Sequence, residues 1–169
     1  SQYSSCKPQE VFLMEGMFKN AMPLIQEFEG YRDTGYYATD DEKERGIVTV
    51  GYGSTHRVGH GEKVTEEQAN QFLMEDMMEA QEAVDRLVTI DLSPNQRAAL
   101  TSLVFNVGQG NFAKSKALVA LNTGDFDSFK QEAFGENDGF VYSGGIKLPG
   151  LVNRRSQEQD MFTGMLSGN

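Results

Sequence analysis

The spacing of apolar residues near the start of the chain predicts a short amphipathic helix. After Pro23, three apolar residues share one helical face, namely Leu24, Ile25 and Phe28. Gly30 lies where a helix usually ends, so we expect Glu29 at the C-terminus of this helix. Residues 1–20 are weakly patterned and are predicted to form an N-terminal tail and lead-in.

The second half of the chain has a helical pattern to its end. Thr65 with Gln68 forms a capping-box signature. It precedes a long amphipathic stripe of Ala69, Phe72, Leu73, Met77, Ala80, Val84 and Leu87. Ser93 with Gln96 predicts a second cap, before a central core helix that stops at Gly108. Shorter helices are expected over about 115–122 and 125–134, and a last one carrying Leu151, Met161, Phe162 and Met165.

Between these helical regions, the pattern changes to that of a small hairpin sheet. Tyr, Val, Ile and Thr predominate over residues 35–53, and the charged run at 40–45 is interpreted as the hairpin tip. Alternation over 47–53 places Val48, Val50 and Tyr52 on one face, opposite Ile47, Thr49, Gly51 and Gly53. After Ile47, the second face carries only one hydroxyl and two glycines, so we expect it to form the floor of a groove for a polymer.

Composition narrows the classes of function. The 169 residues are 38% hydrophobic, which is typical of a globular chain. Fifteen Lys and Arg against 25 Asp and Glu give a formal charge of -10, which disfavours nucleic acid and anionic membrane surfaces as partners. No apolar run is long enough for stable membrane insertion. Cys6 is the only cysteine, so no internal disulfide is expected.

Glu29 is the first candidate for chemistry. A carboxylate beside the negative end of a helix dipole is disfavoured in its charged form, which suits a general acid. An ordinary solvated residue at a helix end would fit the same position, so this argument alone does not select a catalytic role.

Four sequence blocks extend the pattern around this glutamate. They are FEGYR at 28–32, TVGYGST at 49–55, LSPNQ at 92–96 with FNVG at 105–108, and GGIKLPGLVNRR at 144–155 with Glu158. In order and spacing, these blocks resemble the phage lysozymes of glycoside hydrolase family 24. The resemblance covers about residues 22–166.

The resemblance implies an α+β, lysozyme-like fold with a single catalytic domain over residues 21–166. A small antiparallel β lobe over about 31–62 and a larger helical lobe over about 65–166 would be joined by the long helix after Thr65. The implied activity is that of a muramidase, or endolysin, which cuts the β-1,4 bond between N-acetylmuramic acid and N-acetylglucosamine in peptidoglycan. The glycan would lie in the cleft between the lobes.

The resemblance also implies roles for individual residues. Glu29 matches the glutamate that protonates the leaving oxygen, and Thr49 matches the threonine that helps to hold the hydrolytic water. Arg154 matches an arginine that approaches the catalytic glutamate or its surroundings. The expected substrate-binding residues are Gly51, Tyr52, Gly53, Asn106 and Arg154. Asn106 and Gln109 equally fit a role in capping the central helix.

The third catalytic position departs from the family pattern. The family usually has an aspartate nine residues after the glutamate and six before the threonine, but here Glu29 and Thr49 are twenty residues apart. Without a gap, the aspartate position falls on Ala38, which can do no chemistry. We therefore predict that Asp40 takes this role, with Asp41 as the alternative. Charged residues at a hairpin tip could equally serve only solubility.

Two further features concern histidine. Relatives often have histidine after Gly-x-Gly where this chain has Ser54, which can replace only one of its hydrogen bonds. His56 and His60 are four residues apart, but flanking glycines favour a loop and no third ligand is obvious. No metal site and no cofactor are therefore expected.

The resemblance finally implies how such a protein works in its surroundings. Peptidoglycan glycan strands are the expected partner, and the protein is expected to be a monomer. It would be made in the bacterial cytoplasm and act on the cell wall in the periplasm or outside the cell. Two alternatives remain open: a lytic transglycosylase acting on the same bond, and a catalytically degenerate protein that binds glycan without cutting it.

Overall fold

A computed structural model describes residues 17–165. A π-helical turn, Met17–Ala21, leads into α1, Met22–Glu29. The β lobe follows, with β1 (Arg32–Tyr36), α2 (Asp40–Arg45), β2 (Thr49–Gly51) and β3 (Ser54–Thr55). The helical lobe contains α3 (Glu66–Leu87), α4 (Pro94–Val107), α5 (Gln109–Ala113), α6 (Lys116–Asn122), α7 (Phe126–Phe134), β4 (Tyr142–Ser143), β5 (Ile146–Lys147) and α8 (Pro149–Phe162). The predicted α+β class is confirmed.

The two capping boxes determine where the long helices begin. The Thr65 hydroxyl accepts from the Gln68 N–H while the Gln68 side chain accepts from the Thr65 N–H, and Ser93 and Gln96 form the same pair. Helix α4 is buried at every position from 98 to 104. It packs against both α3 and α8, which makes it the centre of the helical core. The predicted central helix is therefore confirmed.

The start of the described chain belongs to the helical lobe. The Asn20 side-chain amide donates to Asn95 at 3.4 Å, and Ala21 is fully buried. Residues 17–20 are thus structured, although they were assigned to the lead-in. The rest of the predicted tail, including Cys6, lies outside the described residues.

The charged run at 40–45 forms a helix rather than a hairpin tip. Thr39 caps it by accepting from the Glu42 N–H at 3.0 Å. Acidic residues occupy its first turn, where the helix dipole favours them, and Gly46 ends it in the left-handed conformation. The prediction of a hairpin tip was therefore wrong. It relied on the charged composition of the run, whereas the capping residues Thr39 and Gly46 determine its helical conformation.

The strand predicted over 47–53 is shorter, and Gly51 on its second face is covered by α3. Strand β2 ends at Gly51, whose φ is 65°, and the chain turns before β3. A Cβ added to Gly51 would lie 3.0 Å from the Ala69 Cβ on α3. Glycine at 51 therefore allows α3 to approach the sheet closely, so this residue does not line a polymer groove as predicted.

The last helix also ends earlier than predicted. Helix α8 stops at Phe162, and Met165 lies beyond it with 80% of its surface exposed. Met161 and Phe162 are buried, as the pattern indicated. Among the described helices of residues 17–165, none has the length and apolar character needed to cross a membrane.

We predict that Gly51→Ala destabilises the protein more than Gly46→Ala. The two glycines have nearly equal φ angles of 65° and 69°, so both changes incur the left-handed penalty of roughly 1–2 kcal/mol. Only at Gly51 does the new methyl group also meet α3, which adds about 1–3 kcal/mol. Equal losses in the free energy of unfolding, measured by urea denaturation, would show that the contact with Ala69 does not matter.

Candidate active site

Glu29 is the last residue of α1 and lies at the junction of the two lobes. Its Oε1 accepts a hydrogen bond from Arg154 Nη1 at 2.8 Å. The Glu29 side chain is 24% exposed, whereas that of Arg154 is only 4% exposed. The glutamate is therefore fixed from the protein side by a buried cation and still reaches solvent.

The second oxygen of Glu29 faces a glycine of the β lobe. A Cβ added to Gly53 would lie 3.2 Å from Glu29 Oε2, and Gly53 has a φ of 94°. Glycine suits this position because the backbone is left-handed and because a side chain would crowd the carboxyl oxygen. Gly53 therefore leaves Oε2 uncovered on its cleft side.

The cleft beside Glu29 has a volume of about 390 Å³ and is lined by both lobes. The β lobe contributes Gly53 and Thr55, and α3 contributes Asp76, Glu79 and Ala80. The opposite wall comes from α4 and the residues after it, namely Val104, Phe105, Asn106, Gly108 and Gln109. The size is within the usual range for ligand sites, and the lining is mostly polar.

Arg154 belongs to a buried ionic network in the helical lobe. Arg155 Nε lies 2.7 Å from Glu158 Oε1, and Arg154 Nε lies 3.5 Å from Glu158 Oε2. The Ser102 hydroxyl donates to the same Oε2 at 2.6 Å. Glu158 and Arg155 are fully buried, so α8 is joined to α4 through charges that water does not reach.

Burial shifts the pKa values within this network. Loss of hydration raises the pKa of Glu158, and the neighbouring guanidinium groups and Ser102 oppose that rise. The same loss of hydration lowers the pKa of Arg155, which the carboxylate of Glu158 opposes. Each charge depends on the others, so the network stabilises the position of Arg154 only while it is complete.

A second ionic network joins the β lobe to α3. The Ser54 hydroxyl donates to Asp76 Oδ2 at 2.6 Å, and Arg57 Nη2 donates to Asp76 Oδ1 at 2.9 Å. Arg57 also pairs with Glu75, which raises the pKa of Arg57 and lowers that of Glu75. Ser54 thus supplies one hydrogen bond to Asp76, and Arg57 supplies the other together with a positive charge.

Thr49 lies on the same face of the sheet as the cleft residue Thr55. The two residues are direct cross-strand partners in β2 and β3, and directly paired residues project their side chains to one side. Thr49 is 6% exposed and also pairs with Tyr36 of β1. Thr49 therefore shares the sheet face of Thr55 but is not itself among the residues that line the cleft.

Asp40 and Asp41 do not line the cleft of Glu29. Both lie in the first turn of α2 and are exposed, and Asp41 pairs with Arg45 at 3.3 Å. Asp40 lines a separate groove with a volume of about 620 Å³, which we call the β-lobe groove, and which also includes Arg32, Tyr36, Tyr37, Lys43 and His60. Tyr36 of this groove is the cross-strand partner of Thr49.

The remaining predicted site residues have mixed placements. Asn106 lines the cleft, whereas Tyr52 packs against the hydrophobic core and lies 5.2 Å from the Tyr31 ring. Arg154 is too buried to contact substrate directly and acts on Glu29 instead. His60 stacks on Tyr37 at 4.5 Å. Within residues 17–165, no group of three or more His, Cys, Asp or Glu side chains could hold a metal ion.

Sequence reasoning missed three contributors to the site. Asp76 and Glu79 line the cleft from α3, and Arg57 holds Asp76 in place. The spacing on α3 could have indicated the two carboxylates, because Asp76 and Glu79 are three residues apart and share a helix face away from buried Met77. The partner of Asp76 had no local signal, since Arg57 lies nineteen positions away.

Comparison with known proteins places this architecture among glycoside hydrolases of the lysozyme class. The phage lysozyme family model matches residues 26–158, so the chain belongs to the phage lysozyme family. The endolysin of Acyrthosiphon pisum secondary endosymbiont phage 1 is 34% identical, and the match covers 85% of this chain and 95% of the relative. The Bacillus phage B103 endolysin is 37% identical over 82% of this chain, which spans 51% of that relative.

Solved structures support the same assignment. The muramidase domain of SpmX from Asticaccaulis excentricus has a TM-score of 0.73 and 31% identity, covering 88% of this chain and 94% of that domain. The endolysin from Escherichia coli O157:H7 phage FAHEc1 has a TM-score of 0.70 and 27% identity, covering 90% and 93% respectively. The protein is a peptidoglycan hydrolase with a lysozyme-like fold.

We predict that Arg57→Gln lowers the free energy of unfolding by about 1–2 kcal/mol at pH 7, because two carboxylates lose a charged donor. Glu75 has a pKa below its ordinary value of 4.5, so its contribution is present above that pH and disappears as pH falls through the lowered value. The difference between the wild type and Arg57→Gln should therefore shrink in acid.

The matched control is Arg45→Gln, which removes an exposed pair with Asp41. We expect this change to cost no more than about 0.5 kcal/mol. The stability of the wild type and of both variants is measured by thermal denaturation from pH 3 to pH 7. A pH-independent difference for Arg57→Gln would contradict the assigned role of Glu75.

Proposed function

We propose that the protein cleaves the β-1,4 bond between N-acetylmuramic acid and N-acetylglucosamine, with Glu29 as the general acid. The observation that carries the proposal is the asymmetric environment of the Glu29 carboxyl. Oε1 accepts from buried Arg154, while Oε2 lies beside Gly53 at the open cleft. A proton on this carboxyl therefore belongs on Oε2, the oxygen that a bound glycan can approach.

The chemical step follows from this placement. Oε2 transfers its proton to the glycosidic oxygen as the bond to the sugar carbon breaks, which requires an approach of about 2.6–3.2 Å. The resulting carboxylate is stabilised by the Arg154 guanidinium at Oε1. A water molecule attacks the sugar carbon from the opposite face and gives up a proton to a second carboxylate, which inverts the configuration.

For the second carboxylate, we propose Asp40, with Thr49 helping to orient the water. Inverting hydrolysis uses acid and base about 6.5–9.5 Å apart, with water between them. What supports the proposal is that Asp40 lines the β-lobe groove together with Tyr36, the cross-strand partner of Thr49. Two other carboxylates line the cleft itself. Asp76 is held by Ser54 and Arg57, and Glu79 is exposed.

The cellular location of the protein follows from its substrate. We propose that the protein acts as a monomer on peptidoglycan strands in the periplasm or outside the cell after synthesis in the bacterial cytoplasm. The Glu29 cleft supports action on a polymer, because it lies between the two lobes and is open to solvent. The size of the protein in solution, measured by light scattering, tests the proposed monomer.

We predict that Glu29→Gln lowers kcat on purified peptidoglycan about 10²- to 10⁴-fold, because the amide cannot donate the required proton. Glu27→Gln is the matched control, since Glu27 is exposed on the same helix and does not line the cleft. Release of soluble reducing sugars measures both variants. A wild-type kcat for Glu29→Gln would show that Glu29 is not the general acid.

We predict that Asp40→Asn lowers kcat by about two orders of magnitude, as expected for loss of a general base. Asp41→Asn should remain within about two-fold of the wild type, because Asp41 pairs with Arg45 and is assigned no chemical role. Mass spectrometry of the released fragments distinguishes the mechanisms. Retained activity in Asp40→Asn with anhydro-sugar ends would instead identify a lytic transglycosylase that uses Glu29 alone.

A further inference from the structure

The β-lobe groove differs in charge from the cleft that contains Glu29. The cleft has three carboxylate residues in its lining, Glu29, Asp76 and Glu79, and Arg154 lies buried behind it. The groove instead presents two exposed cations, Arg32 and Lys43, beside one carboxylate, Asp40. The groove lining therefore carries one net positive charge, in a chain of net charge -10.

Arg32 is held in position without a carboxylate partner. Its guanidinium carbon lies 3.9 Å from the centre of the Tyr36 ring, a cation–π arrangement that fixes the plane of the group. Among the described residues, no Asp or Glu lies within ion-pair distance of Arg32 or Lys43. The N–H donors of Arg32 therefore remain available for a planar, bidentate acceptor such as a carboxylate.

Lys43 is supplied by the segment that interrupts the family spacing. The stretch between Glu29 and Thr49, which is longer than the family spacing, includes α2, whose ends are fixed by the Thr39 cap and the left-handed Gly46. Lys43 and Asp40 are separated by one turn of this helix and line the same groove. Helix α2 thus builds one wall of the groove and brings a cation to it.

The groove lies next to the path of the proposed substrate. Cross-strand pairing aligns Thr55, Thr49 and Tyr36 over the three strands, with Thr55 in the cleft and Tyr36 in the groove. Peptidoglycan carries peptide stems with free carboxylates on alternate sugars. A strand in the cleft can therefore present a stem to the adjoining groove, while its neutral sugars lie beside the acidic residues.

We propose that the β-lobe groove binds a carboxylate of a peptidoglycan peptide stem through Arg32 and Lys43. This inference rests on the proposed function, because the strand must lie in the Glu29 cleft for its stem to reach the groove. Tyr36 and Tyr37 provide the aromatic walls, and the volume of about 620 Å³ accommodates several residues of a stem.

The test compares peptidoglycan with intact stem carboxylates to the same material after conversion of those carboxylates to amides. On the intact substrate, Arg32→Gln and Lys43→Gln should each raise KM about three- to five-fold, and the double variant about ten-fold, with kcat unchanged. On the amidated substrate, the wild type should show the raised KM and the variants should add nothing further.

Arg45→Gln is the matched control, because it changes net charge equally on α2 but lies outside the groove lining. The difference between wild type and double variant should also shrink at 0.5 M salt, where exposed charges are screened over roughly 4 Å. Co-sedimentation in a Glu29→Gln background measures binding to both substrates without cleavage.

The outcomes separate this inference from the proposed function. Equal KM values of the wild type for the two substrates, or equal effects of the variants on both, would overturn the stem-carboxylate site. A wild type that cleaves neither substrate would instead overturn the proposed function, and retained co-sedimentation would then show whether the groove still recognises the carboxylate.

Discussion

The pair between Glu29 and Arg154 is the interaction on which the rest of the site depends. It joins the last residue of α1 to α8 through a 2.8 Å hydrogen bond, over 125 positions of the sequence. Because Arg154 is fixed behind the carboxyl by Glu158, the glutamate has a defined inner oxygen and a defined outer oxygen. That distinction allows one carboxyl group to be both anchored and reactive.

The helical lobe could be predicted closely from the sequence because its signals are local. The Thr65 and Ser93 capping boxes define where α3 and α4 begin, and periodic apolar residues define their buried faces. The β lobe was less predictable. Helix α2 arises from capping at Thr39 and Gly46, and a charged composition concealed it. Strand alternation failed at Gly51 because the approach of α3, a tertiary contact, determines that position.

The candidate site divides in the same way. Glu29 could be located by motif and position, and Arg154 was correctly expected near the glutamate, whereas the role of Thr49 stays a prediction. The roles of Arg57 and Glu79 could not be predicted, since they depend on how the β lobe lies against α3. The position of Asp40 was also unpredictable, because it depends on the helix α2 that the charged composition concealed.

The buried network behind Glu29 is better explained by function than by stability. Replacing buried ion pairs with apolar residues of similar volume is often neutral or stabilising, so stability alone gives no reason to keep three buried charges. An apolar substitute for Arg154 would leave Oε1 of Glu29 without its anchor. The network therefore persists at the point where a proton has to be directed to one oxygen rather than the other, since only a rigid cation behind the carboxyl makes its two oxygens different.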